Sequence, residues 1–402
     1  MLTNTLTYPH VIAYEQGLEQ VNLGNYKEAI KLLYFKSFSP VRYIPAKDKL
    51  KLFSITAEMI LDPSNLPIDA NMSGEDLFLE ALLLTAGFNR PPNPALATQY
   101  LKAASQKKYM HAAELLAFLC LNYENKNIDK NKSKKLARLS FNYSAIAAFS
   151  GHLGAQSILG YCYENGIGTQ KNELSAMAWY EKSAAGGYAK AKVNLGKCYQ
   201  FGLKGDGISI EKDIDKAIAL YQEAADQGHV EAQYILGSYY LTDKNNAIDN
   251  KKSFEFFTKS AEQGFILTAV NLGNCYKHGM GTQRNNLSAV KWYMKGVEND
   301  DQNAQFNLAL CYEKGEGVEK NESKAVELYK QAAEKGHAGA QYNLGWCYQN
   351  GKGFEKNLTE AIKWFTKAAA QGHERAQHYL NSHYKETYLE VDEETGKMYK
   401  LR

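Results

Sequence analysis

The side chains best equipped for chemistry in this 402-residue chain are its histidines and cysteines, and most of them fall into register with one another. His152, His229, His337 and His373 each follow a glycine that closes a short apolar segment. Tyr109, Tyr188 and Phe265 hold the same place in other segments, and Asp301, beside Asp300, holds it in one. A position that accepts His, Tyr or Phe uses a flat ring, so packing is the reading there rather than proton transfer. Asp300 and Asp301, where a glycine and a ring are expected, predict a looser junction. Cys162, Cys198, Cys275, Cys311 and Cys347 recur at one phase, with Cys120 one residue further on. One thiol per segment leaves no disulfide partner within its own segment, and a metal site needs ligands that converge. A small buried thiol between helices is the expectation. Gly166 and Gly168, Gly279 and Gly281, Gly315 and Gly317, and Gly351 and Gly353 lack the further Gly, or the Lys-Ser/Thr, that would cradle a phosphate. No catalytic set, metal set or cofactor motif is visible.

The elements that carry these residues repeat. With Gly345 as anchor, equivalent positions fall at Ala81, Ala117, Gly160, Gly196, Gly237, Gly273 and Ala309, with a half-copy at Asn381. The spacings are 36, 43, 36, 41, 36, 36, 36 and 36 residues, a period that marks a solenoid. Each copy reads as two short helices. The first, as in Ala340, Leu344, Gly345, Cys347 and Tyr348, clusters its apolar positions on one side at 100° per residue. The Gly-x-Gly turn follows, suited to a helix end that needs positive φ. The second helix carries Ala361, Trp364, Phe365, Ala368 and Ala369, small residues facing aromatic ones so that two helices interlock.

A-x-x-x-L-G-x-C-Y-x-x-G-x-G followed by K-A-x-x-W-Y-x-K-A-A-x-x-G resembles the Sel-1-like repeat, a relative of the tetratricopeptide repeat, over roughly residues 75 to 380. The period alone gives the solenoid; the resemblance implies a protein-interaction scaffold. Cysteine-rich members carry paired cysteines in each repeat and have been linked to penicillin binding and β-lactamase activity, and this chain departs from them. Ser105 and Lys108 have the S-x-x-K spacing, but S-D-N and K-T-G are both missing, and acylation needs all three elements around one serine. A β-lactamase-like enzyme is therefore the weakest of the readings.

A net charge of +3 with mixed signs leaves no electrostatic footprint for nucleic acid. No apolar run reaches the ~20 residues needed to cross a membrane. The N-terminus lacks the basic and apolar blocks of a secretory signal, so a cytoplasmic protein is expected. Residues 1–74 read as a tetratricopeptide-like helical segment ending in a turn-rich connector, 75–380 as the array, and 381–402 as a half-repeat with an acidic tail. The Asn- and Lys-rich stretch Asn122 to Lys135 holds a seven-residue insertion, expected as a solvated loop; five residues are inserted within Leu203 to Glu211. Glu386, Glu390, Asp392, Glu393 and Glu394 suit a polar cap. A glutamate-rich end also resembles a type IV export signal, which gives a second reading: an effector translocated into a host cell to bind a host protein.

On the first helix, anchor −1, +2 and +3 point inward at about 260°, 200° and 300°, so −3, +1 and +4 fall near 60°, 100° and 40° on the opposite face. By resemblance, that face lines a concave groove. Nine of its eighteen residues from the Gly160 to the Gly345 repeat are Tyr, Val, Leu, Phe or Trp, where a merely solvated face would be mostly charged. The candidate partner-binding residues are Tyr161, Val193, Lys197, Tyr234, Leu241, Val270, Asn274, Lys277, Phe306, Leu310, Tyr342, Trp346 and Gln349. The expectation is an all-α, right-handed α/α solenoid of about eight repeats, working as a non-enzymatic scaffold. A protein or peptide would lie in its groove, with no cofactor, nucleic acid or membrane insertion.

Overall fold

The structure is a computed structural model that describes residues 71–86, 93–124, 129–205, 208–242 and 249–384. The tetratricopeptide-like reading of residues 1–70 and the acidic tail from 385 onward lie outside them. The described residues form an all-α repeat solenoid of helix hairpins. Two compact units meet within one helix: the first ends at Leu236 and the second begins at Gly237.

In the first unit the helices are α1 (Gly74–Ala86), α2 (Pro94–Gln106), α3 (Met110–Glu124), α4 (Lys130–Phe149), α5 (Leu153–Asn165), α6 (Glu173–Ala185), α7 (Ala189–Phe201) and α8 (Ile214–Asp226). α9 (Val230–Thr242) carries the boundary. The second unit continues with α10 (Asn250–Glu262), a 3₁₀ turn at Ile266–Thr268, α11 (Ala269–His278), α12 (Asn286–Glu298), α13 (Gln302–Lys314), α14 (Glu322–Glu334), α15 (Ala338–Asn350), α16 (Leu358–Ala370) and α17 (Glu374–Tyr384).

Four of the hairpins close by the same three devices, and others share some of them. A glycine in the left-handed region ends the first helix, as at Gly166, Gly279, Gly315 and Gly351, and its N–H returns to the carbonyl of the cysteine at anchor +2. An Asn or Asp twelve residues past the anchor, or seventeen in the Gly196 repeat with its five-residue insertion, then caps the second helix. Asn93, Asn172, Asp213, Asp249, Asn285, Asn321 and Asn357 each accept the N–H three residues on, which satisfies a donor the helix itself leaves open. The backbone N–H of most of these caps donates to the tyrosine carbonyl at anchor +3, for example Asn357 to Tyr348 at 2.9 Å. Finally, a ring twenty residues past the anchor, or twenty-five in the Gly196 repeat, packs beneath it. A Cβ on Gly273 would stand 2.3 Å from Cε1 of Tyr293, a distance no side chain tolerates, so this crossing needs a glycine.

The two insertions fold rather than dangle. Asp129 caps α4 at the usual phase, and α4 is 20 residues long where its counterparts have 13. The seven inserted residues are thus absorbed as about two helical turns, which return the buried face to nearly the same angle. This corrects the expected loop. The five-residue insertion contributes to a short antiparallel hairpin, β1 (Leu203–Gly205) with β2 (Ile208–Ile210), which pairs Leu203 with Ile210.

All six cysteines are buried free thiols packed between helices, as the phase implied. Burial pushes Cys120, Cys198 and Cys347 up to about 12 and Cys275 to about 11, so they stay protonated. Leu344 and Cys347 are enclosed, so the in-phase residues do hold adjoining hairpins together.

Candidate functional site

The first-helix face is built from positions −3, +1 and +4, and each phase has its own fate. At +4 the side chains mostly serve the ring beneath. Tyr180 donates to Glu164 at 2.6 Å, Tyr221 to Gln200 at 2.8 Å and Tyr329 to Glu313 at 2.8 Å. In the Gly273 repeat, Tyr293 turns instead to Asn274 at +1, at 2.7 Å. Asn274 is therefore held from within and is not offered to a partner. A buried phenol needs an acceptor, and the surface-facing end of the first helix supplies it. Where the ring is Phe257 or Phe365, no hydroxyl calls for one, and +4 is Leu241 or Gln349; the Gln349 Oε1 is enclosed without a donor.

At −3, Val193 is fully buried and Ser157 nearly so, which removes Val193 from the candidate strip. A short side chain at this phase sinks below its neighbours, whereas longer rings reach past them. Phe306 and Tyr342 are half-buried, and each stacks on the histidine of the next junction, His337 at 4.4 Å and His373 at 4.8 Å between ring centres. Lys277 is also less available than expected: its side chain is only 13% exposed and lies 3.9 Å from Glu316.

The remaining candidates are half-buried. In the first unit, Tyr161, Tyr234 and Lys197 are half-buried, and the Lys197 ammonium, with that of Lys190, grips Glu231 at 2.6 and 2.5 Å. Burial alone would raise the Glu231 pKa, but the two lysines overcome it and hold the carboxylate down at about 2. In the second unit, Leu241 and Val270 are half-buried, and Leu310 on α13 and Trp346 on α15 occupy +1 of consecutive repeats. The Lys352 ammonium lies 4.7 Å from the Trp346 ring centre, leaving the ring partly open.

The histidine junctions do more than pack. Nδ1 of His337 accepts the Ala340 N–H at 3.0 Å, and His373 and His229 accept those of Ala376 and Ala232 at 3.3 and 3.4 Å. The ring is therefore a helix cap that works only with Nδ1 unprotonated, which corrects the purely flat-ring reading. Nor is the Asp300–Asp301 junction loose: the Asp301 carboxylate accepts the N–H groups of Asn303 and Ala304 at 2.7 and 2.8 Å. A glutamine series at anchor −4, outside the residues singled out above, also recurs in phase. Nε2 of Gln156, Gln233, Gln341 and Gln377 donates to the carbonyls of Ala148, Ala225, Ala333 and Ala369, tying each first helix to the end of the preceding second helix. Among the described residues no group of three His, Cys, Asp or Glu side chains could hold a metal ion, and no helix is long and apolar enough to cross a membrane.

The Sel1 repeat family model matches residues 81–109, 154–188, 189–229, 230–265, 268–301, 302–337 and 338–373. It leaves out residues 110–153, where α3 and the lengthened α4 nevertheless build the same hairpin. Among solved structures, a protective antigen of uropathogenic Escherichia coli strains displaying an SLR fold is similar at a TM-score of 0.62 and 24% identity, over 93% of this chain and 79% of that one. A Sel1 repeat protein from Oxalobacter formigenes is similar at a TM-score of 0.53 and 29% identity, over 63% of this chain and 96% of that one. No curated protein matches the chain.

Proposed function

The chain belongs to the Sel1 repeat family, and from that premise we propose that it is a non-enzymatic scaffold holding a protein or peptide partner on its first-helix face, chiefly on α13 and α15. The observation that carries this reading is the run of half-buried apolar side chains Phe306, Leu310, Tyr342 and Trp346 in two consecutive repeats. Their partly open aromatic surface, beside polar groups already satisfied from within, suits an extended peptide or an amphipathic helix. The protonated buried thiols and the structural use of the histidines support a binding role over a catalytic one. Six free thiols also favour a reducing compartment, so the scaffold works in the cytoplasm. Delivery into a host cell rests on the acidic tail alone; deleting residues 385–402 and measuring translocation tests it.

Tyr342 also stacks on His373, so its removal would disturb packing. Leu310→Ala with Trp346→Ala is the cleaner test. The double variant should lose the partner recovered with wild-type protein in affinity capture while helical content is kept, with a melting temperature lowered by the packing both side chains give the core. Undiminished capture of the same partner would refute the face.

A further inference from the structure

The two-turn extension gives α4 an outer stripe unlike that of the other second helices. On its wheel Leu136, Ser140, Ser144 and Ala147 are buried, and Lys134, Arg138, Lys135, Phe149 and Ile146 lie on the opposite side within about 120° of one another. All five are exposed, Phe149 to 77%. The helix is about 30 Å long, with its cations in the N-terminal half and its apolar groups at the other end. Phe149 meets Trp179 of α6 edge to face at 5.1 Å, which widens the apolar end.

Two observations leave this charge without a stabilising partner among the described residues. The first turns of α6, α8, α14 and α16 carry Glu173, Asp215, Glu322 and Glu360, which suit the positive end of a helix dipole; α4, like α2, α10 and α12, has no acid there. Among the described residues no carboxylate pairs with Lys130, Lys134, Lys135 or Arg138. Unpaired cations continuous with an exposed phenylalanine form a surface that an acidic segment with an apolar end complements.

We propose that the outer stripe of α4 is a second docking site, distinct from the first-helix face, for an acidic partner segment that carries an apolar anchor at one end. Charge complementarity selects the acidic block, and Phe149, Ile146 and Trp179 select the anchor. A bilayer fits less well. Helices that lie in a membrane interface are apolar along their whole length, whereas sinking the Phe149 end of α4 would leave its lysine end unengaged.

The test uses the full-length chain and a fluorescein-labelled peptide with a glutamate block followed by a Leu-Trp-Phe block, long enough to follow α4. A second peptide of the same composition has the two residue classes interspersed, and phosphatidylglycerol vesicles form a third arm. The block peptide should bind saturably, more tightly than the interspersed one, and less tightly as salt rises. Lys134→Glu, Lys135→Glu and Arg138→Glu together should raise Kd at least about tenfold with little change in melting temperature, because all three side chains are exposed. Phe149→Ala, at a side chain too exposed to matter for folding, should weaken binding several-fold, and Trp346→Ala should leave it unchanged. No saturable peptide binding, binding indifferent to both the charge reversal and Phe149→Ala, or vesicle binding through these residues without peptide binding would each overturn the site.

Discussion

Between α14 and α15, Gly336 turns the chain at a φ of 98° and His337 caps the next helix through one ring nitrogen. Thirty-six residues earlier, between α12 and α13, Asp300 makes the same turn at a φ of 63° and Asp301 caps with a carboxylate that takes two N–H groups. The glycine needs nothing around it, whereas Asp300 is held by the Lys335 ammonium and by the Gln305 amide at 3.3 Å. One backbone geometry is thus reached once by freedom from a side chain and once by tethering one. The difference teaches that a repeat conserves its hydrogen-bond demands rather than its residue types.

The comparison breaks first at the glutamines. Gln341 is satisfied at both ends: Nε2 donates to Ala333 and Oε1 accepts from Gln371 at 2.8 Å. Gln341→Met removes both bonds, the Ala333 carbonyl keeping the Gly336 N–H at 3.0 Å, and should cost about 2 kcal/mol in urea unfolding. Gln305 donates only to the Asp300 carboxylate and leaves its own Oε1 enclosed without a donor. Gln305→Met therefore removes one bond and one unmet acceptor together, and its cost should be well under half as large. Equal losses would show that the glutamine acts by volume. Next in size, Asp301→Ala removes both acceptors from the α13 N-terminus and should cost about 1 kcal/mol, with faster amide exchange at Asn303 and Ala304.

What was readable in the sequence was what recurs with one residue type. The anchor glycines, the cysteine phase and the Gly-x-Gly turns gave the hairpins and the solenoid. What escaped was chemistry shared among unlike residues. His, Asp, Tyr and Phe at one junction suggested a ring, yet two of the four types cap a helix with a lone pair. The +4 residues Glu164, Gln200 and Glu313 looked free because their donors, the tyrosine hydroxyls, belong to the other helix of the hairpin. Of the candidate strip, Phe306, Leu310, Tyr342 and Trp346 fall where the helical wheel put them, half-buried on the first helices. Val193 fails because a wheel gives direction and not reach. The lengthened α4 was hidden by composition: Asn and Lys suggest a loop, but seven residues close two turns and Asp129 stands at the cap position.

Acid separates the two kinds of junction. Burial lowers the His337 pKa and His373 adds to this, against its own backbone bond and Asp301, which raise it. Burial, then Arg375, lowers that of His373. With the folded-state values below the unfolded value of about 6.5, the unfolded chain takes up protons more readily. The stabilisation is therefore complete above about pH 6.5 and is lost as pH falls through the folded values. The melting temperature should drop modestly between pH 7.5 and 5.5. His337→Asp with His373→Asp, which copies the carboxylate cap, should flatten that slope; an unchanged slope would assign it elsewhere.

The smallest expected effect is the sharpest test of tethering. Asp300→Gly removes a side chain from the left-handed region, which relieves strain, but it also gives the unfolded chain more freedom and discards the contacts with Lys335 and Gln305. The Lys335 contact lies at the surface, where ion pairs count for little, and its grip is what holds the Asp300 carboxyl below its usual pKa. These effects oppose one another, so the melting temperature should move by no more than about 2 °C. Lys335→Ala gives the other half, because it keeps the strained backbone and removes the tether, and it should be the more destabilising of the two. If Asp300→Gly were instead clearly the worse, the turn at this junction would depend on its aspartate for more than Lys335 supplies, and the equivalence with Gly336 would fail.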